Sequence, residues 1–211
     1  MFIEAKETKE IKEKLNLGNI NIGFIGPEGV GKTTIAKMVG EITGKATFST
    51  GDIIRDLAKN DPSETGDKCR KILSDHVYLD GKTLLELVKK RLENPDTEKG
   101  FIIDGGFRTV EEIKGLPKIL EETGKNGSII LFYLQASNET CIKRLLTGSR
   151  HREDDTTEGI SKRHSEFYKN LDDRISTIQS QKGWTIVDID ADRPIEEVCE
   201  SVMSILKFLI S

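Results

Sequence analysis

Five short apolar runs recur along this chain, Ile20–Ile25, Ala46–Phe48, Phe101–Ile103, Ile129–Leu134 and Thr185–Ile189. Rich in β-branched and aromatic residues, they read as strands. Longer amphipathic stretches lie between them. A helix is predicted near Thr33–Glu41, directly after the first strand. Another covers Leu84–Leu92, where Leu84, Leu85, Leu87, Val88 and Leu92 keep a helical period. The last begins after Asp192 with Pro194 near its first turn, and carries Ile195, Val198, Val202, Ile205, Leu206 and Leu209 as a core-facing stripe. Strands alternating with helices predict an α/β fold with a mainly parallel sheet. The first, third and fourth strands are apolar enough to be central, with helices on both faces. Residues 1–18 read as an appended charged helix with a few apolar positions, among them Ile3, Ile11 and Leu15, and no internal repeat or low-complexity linker follows.

Length and composition narrow the class. The chain of 211 residues suits one domain, spanning 19–211, with small inserts. Its 32 basic and 36 acidic residues leave a net charge of -4, which argues against a broad basic face and so against a nucleic-acid partner. Cys69, Cys141 and Cys199 are widely spaced and offer neither a zinc pattern nor a disulfide framework, so reduced thiols are expected. No apolar run approaches the roughly 20 residues that span a bilayer. The opening MFIEAKETKEIKEKLNLGN lacks an apolar signal core. A cytoplasmic monomer with no membrane partner is the expectation.

Candidate chemistry is concentrated at Gly26-Pro-Glu-Gly-Val-Gly-Lys32-Thr33, a full GxxxxGK[ST] match between the first strand and a helix. Glycines let the backbone wrap a polyphosphate, successive N–H groups form an anion nest, and the helix start adds its positive end. Gly26, Glu28, Gly29, Val30, Gly31, Lys32, Thr33 and Thr34 are therefore assigned to ATP, with Lys32 on the β- and γ-phosphates and the Thr33 hydroxyl on Mg²⁺. The loop fixes a P-loop NTPase three-layer fold. By itself it leaves the acceptor open, so a small-metabolite kinase and a nucleotide binder without catalysis both remain as alternatives.

Downstream motifs close much of that gap. Ser49-Thr50-Gly51-Asp52-Ile-Ile-Arg55, Asp104-Gly105-Gly106-Phe107-Arg108-Thr109, and Arg144-Leu-Leu followed by Arg150-His-Arg152-Glu-Asp154-Asp155 and Lys162-Arg163 occur in order. From about Ile20 to Leu209 the chain resembles the adenylate kinase family in its short-lid form. The resemblance implies a five-stranded parallel core, a helical nucleoside-monophosphate-binding segment near 52–82 and a lid near 147–157. It also implies transfer of the ATP γ-phosphate to a nucleoside monophosphate (AMP by family), giving two diphosphates. Arg55 and Arg108 would fork the acceptor phosphate, with Thr50 and Gly105 beside them. Lys32, Arg108, Arg152 and Arg163 would neutralise the moving phosphoryl group. Arg144 would stack on the donor base, Asp104 would hold Mg²⁺ through water, and Asp154 and Asp155 would hold the lid closed. Asp52 is expected to cap the helix it opens. His76, His151 and His164 are assigned to surface or packing.

Three departures bear on the substrate. Gly105-Gly106-Phe107 stands where the family places Gly-Phe-Pro, so the loop loses a proline that fixes a turn. Glu112 stands four residues after Arg108, where the family's Gln reads AMP. An ionised carboxylate only accepts, which in the base site would favour guanine or cytosine over adenine. Gly148 occupies the position of a phosphate-contacting Arg, for which Arg150 is the available substitute.

Overall fold

The apolar runs form one parallel sheet of β1 (Asn21–Ile25), β2 (Ala46–Ser49), β3 (Phe101–Asp104), β4 (Ile129–Gln135) and β5 (Trp184–Asp190), in the order β2-β3-β1-β4-β5. The computed structural model describes residues 17–75, 77–147 and 157–210. The three strands predicted as central are the central ones, and each strand boundary lies within a residue of its expected place.

Period-two alternation divides the sheet's side chains between two cores. Ile22, Phe24, Ile102, Ile130, Phe132 and Leu134 pack with helices α1 (Lys32–Thr43) and α9 (Ile195–Ile210). Ile25, Phe101, Ile103, Ile129 and Leu131 pack on the other face. There they meet α4 (Gly81–Leu92), α5 (Val110–Glu122) and α8 (Leu171–Gln179). The α4 helix starts three residues before the predicted Leu84 because Asp80 caps it, accepting from Thr83 N at 2.9 Å. Cys69, Cys141 and Cys199 are free and buried. No described helix is long and apolar enough to cross a membrane.

Two inserts flank the carboxyl ends of the strands. The α2 (Thr50–Asn60) and α3 (Glu64–Asp75) helices occupy the expected acceptor segment. The α6 (Asn138–Thr147) and α7 (Thr157–Lys169) helices bracket the expected lid. Residues 148–156, which include Gly148, Arg150, His151, Arg152, Asp154 and Asp155, lie outside the described residues, as do residues 1–16 of the N-terminal extension and His76.

The expected Asp52 cap is corrected. The α2 helix begins at Thr50, and the cap is Ser49, whose hydroxyl accepts from Asp52 N at 3.4 Å. Ser49 is also the last residue of β2, paired in register with Asp104, so the strand delivers the chain to the helix without a loop. Asp52 instead lies in the first turn of α2 and pairs with Arg55.

Candidate active site

Register sets the floor of the site. Phe24 of β1 pairs with Asp104 of β3 and with Phe132 of β4, so these strands finish side by side. The loop after β1 therefore opens beside the Asp104 carboxylate, at the carboxyl edge where α/β sheets bind ligands. Two of the loop's glycines have no alternative. Gly29 has φ 82 and a Cβ there would stand 2.3 Å from Cys141 O; Gly26 has φ 154 and its Cβ would stand 2.6 Å from Leu134 O. The helix cap, Gly31, brings no capping side chain, which leaves the first-turn N–H groups of α1 facing the nest.

Lys32 Nζ arches over this loop and donates to Gly26 O and Pro27 O, both at 2.8 Å. Thr33 Oγ1 donates to Asp104 Oδ2 at 2.5 Å, joining the two expected Mg²⁺ positions directly. A hydroxyl and a carboxylate suit a hard cation that keeps waters and phosphate oxygens as its other ligands.

One cavity of about 330 Å³ holds Lys32, Thr33, Arg55, Asp104, Arg108 and Arg144 along its walls, together with Glu28, Gly29, Gly31 and Thr34. Val30 is fully buried beneath it, and its carbonyl accepts from Arg144 Nη1 at 2.9 Å while Arg144 Nη2 reaches Arg193 O at 2.6 Å. Arg144 is thereby held beside the phosphate loop. An adjoining pocket has apolar walls from Ile54, Leu73, Val77 and Leu79 and shares Arg55 and Arg108 with the main cavity. Arg163 of α7 lines it too, 9% exposed. Arg108 lies 5.1 Å over the Tyr78 ring, and its Nη1 donates to the buried Thr50 hydroxyl at 3.4 Å. Gly26 and Gly105 line a small recess between the two loops. Of the expected site residues that the structure describes, all but Glu112 thus fall at or beside one cleft, and Arg152 lies outside the described residues.

Glu112 lies behind the loop 105–109 after β3, the expected acceptor loop, and lines none of these cavities among the described residues. Thr109 caps α5 by accepting from Glu112 N at 3.1 Å, and Glu112 Oε2 accepts from Arg108 N at 2.9 Å. This is a capping-box arrangement shifted by one residue at its second bond. Burial, to 1% exposure, pushes the Glu112 carboxyl up, and Arg108 beside it pulls back against that. Its Oε1 is buried without a hydrogen-bond partner.

Three neighbours of the site carry no signal in the pattern of residues. Tyr78 stands in the loop before α4 and forms the platform for Arg108. His164 Nε2 lies 2.8 Å from Glu28 O; because a carbonyl only accepts, Nε2 carries the proton, and the contact ties α7 to the phosphate loop. Arg174 of α8 is 1% exposed and reaches the acceptor loop. A polar side chain flanked by Asp172 and Asp173 reads as solvated, so only tertiary packing identifies it.

Comparison with known proteins agrees with this geometry. The family model described as adenylate kinase matches residues 24–182. An adenylate kinase of Trichodesmium erythraeum is 32% identical over 188 residues, covering 87% of this chain and 95% of the relative. One from Archaeoglobus fulgidus is 28% identical over 217 residues, covering 89% and 98%. One from Thermotoga petrophila is 38% identical over 122 residues, covering 58% and 55%.

Proposed function

The chain belongs to the adenylate kinase family and is an ATP-dependent nucleoside monophosphate kinase, and from that premise we propose that it passes the γ-phosphate of Mg²⁺-bound ATP to AMP. The observation that carries this reading is the single cleft in which a phosphate loop faces two arginines, Arg55 and Arg108, at the mouth of an apolar pocket. That arrangement offers two anion sites at one reacting position and a flat-sided hole for a base.

Loop N–H groups and Lys32 take the donor phosphates; in exchange for them Lys32 releases the loop carbonyls of Gly26 and Pro27. Arg144 borders the donor nucleotide. Thr33 and Asp104 would hold Mg²⁺, which when bound would neutralise charge on the donor's phosphates. Arg55 and Arg108 fork the acceptor phosphate, and Arg163, joined by Arg152, spreads the transition-state charge. The attacking group is the acceptor's own phosphate oxygen, so no side chain serves as nucleophile. Orientation and desolvation supply the rate. The turning of Glu112 into its loop, with one oxygen on Arg108 N, supports an adenine acceptor, because the carboxylate does not front the pocket. A cytoplasmic monomer is the corresponding setting, and the three buried thiols suit a reducing compartment.

ADP production from ATP and Mg²⁺, measured in parallel with AMP, GMP, UMP, CMP and dTMP, tests both parts. AMP as the preferred acceptor is expected. Preference for GMP or CMP overturns the adenine assignment and returns Glu112 to the base site. No turnover with any monophosphate, with ATP still bound, overturns the kinase assignment for this chain.

A further inference from the structure

The loop that presents Arg108 lacks intrinsic stiffness. Gly105 and Gly106 both sit at positive φ, 85 and 91, and no proline fixes the turn. Arg108 nonetheless has to meet the acceptor phosphate with a fork whose usefulness depends on its position, since misplacement by about 1 Å can cost roughly 10²-fold in rate. Something other than the backbone has to hold the loop.

Two buried ionisable side chains grip one peptide group of that loop. The Phe107 carbonyl accepts from Arg174 Nη1 at 3.1 Å, and the N–H of the same peptide, on Arg108, donates to Glu112 Oε2 at 2.9 Å. Both side chains are 1% exposed. The rest of the Arg174 guanidinium is anchored on the far side of the cleft floor, with Nη2 donating to Phe167 O and Nε to Asn170 O at 3.3 Å. Its plane also lies 4.6 Å over the Phe167 ring. Glu112 is fixed from its own side by the α5 cap on Thr109. The peptide is thus held at its oxygen from α8 and at its nitrogen from α5, immediately before the Cα that carries the acceptor arginine.

We propose that Arg174 and Glu112 are positioning residues, a two-sided clamp on the Phe107–Arg108 peptide that sets Arg108 for the acceptor phosphate in place of a proline. The inference rests on Arg108 binding the acceptor, as assigned above. Because Arg174 also bonds to the end of α7, the clamp links the acceptor loop to the helix that bears Arg163. It explains why a guanidinium stands fully buried on backbone carbonyls, a costly placement unless each bond is made. A plain core role for Arg174 would account for the stability of α8 but not for the pairing with Glu112 across one peptide.

Steady-state kinetics with ATP and AMP, varied separately, test the clamp. Arg174→Met is expected to lower kcat/KM for AMP by roughly 10- to 100-fold while KM for ATP stays within about twofold. Glu112→Leu is expected to do the same, and Glu112→Gln, whose amide oxygen still accepts from Arg108 N, to recover most of that loss. In an Arg108→Ala background, Arg174→Met is expected to add almost nothing, since there is no guanidinium left to position. Equal losses for ATP and AMP, or full additivity with Arg108→Ala, overturn the proposal and leave Arg174 a structural residue. A change of preferred base in Glu112→Gln overturns the Glu112 half. If Arg174→Met does not fold, Arg174→Lys, which keeps the charge and can keep the Phe107 bond, and the two Glu112 variants carry the same comparison. Wild-type protein inactive with every monophosphate would instead count against the function assigned above, so the two failures are told apart.

Discussion

At the scale of single residues, two lysines illustrate how burial and partners divide the labour. Lys32 gives its ammonium to two carbonyls of its own loop, those of the buried Gly26 and Pro27, which phosphate oxygens replace with stronger bonds between opposite charges. Lys32→Ala is therefore expected to lower kcat by roughly 10²- to 10³-fold, the loss typical of a transition-state donor. Its melting temperature should stay close to wild type, read by circular dichroism. Turnover that survives the substitution would reject the phosphate-loop mechanism. Lys45 lies at the opposite edge of the sheet, 9% exposed, with Nζ donating to Gly18 O at 2.9 Å and Lys99 O at 2.6 Å. Burial lowers its pKa from 10.5 to about 8. Between about 8 and 10.5 the unfolded chain holds this proton while the folded chain releases it, so folding gains stability as pH rises through that window. The neutral amine still has two N–H groups for its two carbonyls. Melting curves from pH 7.5 to 10 are expected to fall less steeply, or rise more, in wild type than in Lys45→Met. Parallel curves would show that Lys45 is not buried as described.

At the scale of elements, β1 governs both layers of the site because it carries the phosphate loop and supports the acceptor loop. A Cβ on Gly23 would stand 2.4 Å from Leu131 Cδ2 and 2.7 Å from Phe107 Cε2. Gly23→Ala thus overpacks the sheet and pushes on the residue before Arg108. A loss of about 1–3 kcal/mol in urea unfolding is expected, the usual range for an overpacked core. A rise in KM for AMP should accompany it, and an unchanged stability would mean that the sheet relaxes around the methyl. The same element shows why the fold was legible and parts of the site were not. Apolar alternation over Ile20–Ile25 and a GxxxxGK[ST] loop are local, so strand, loop and helix follow from neighbours in sequence. The start of α2 is not local: Ser49 and Asp52 are both good caps, and only the pairing of Ser49 with Asp104 across the sheet selects the first. Glu112 and Arg174 are further cases. One looks like a base reader by position and the other like a solvated charge, and their convergence on one peptide arises from the packing of α5 against α8.

At the scale of the whole molecule, the question is how an open cleft becomes dry enough for phosphoryl transfer rather than hydrolysis. The proposed donor and acceptor sites lie in two adjoining cavities, and the cations around them come from parts that are separately attached: Lys32 from the sheet's loop, Arg55 from the helical insert after β2, Arg163 from α7. The α7 helix touches both other parts. His164 meets Glu28 O at 2.8 Å on the loop side, and Lys162 Nζ donates to Asp75 O at 2.7 Å at the end of the acceptor insert. The second bond is exposed, so water competes for both of its partners. Two nucleotides, each bringing phosphates to the arginines that line the two cavities, would supply the differential binding that draws the parts together. Small-angle scattering is expected to show a smaller radius of gyration with AMP and a non-hydrolysable ATP analogue plus Mg²⁺ than in the free protein, with either nucleotide alone falling between. Curves that superimpose in all four states would mean that the cleft is already closed without ligand. Water would then have to be excluded by the fixed walls around Ile54, Leu73, Val77 and Leu79 rather than by motion.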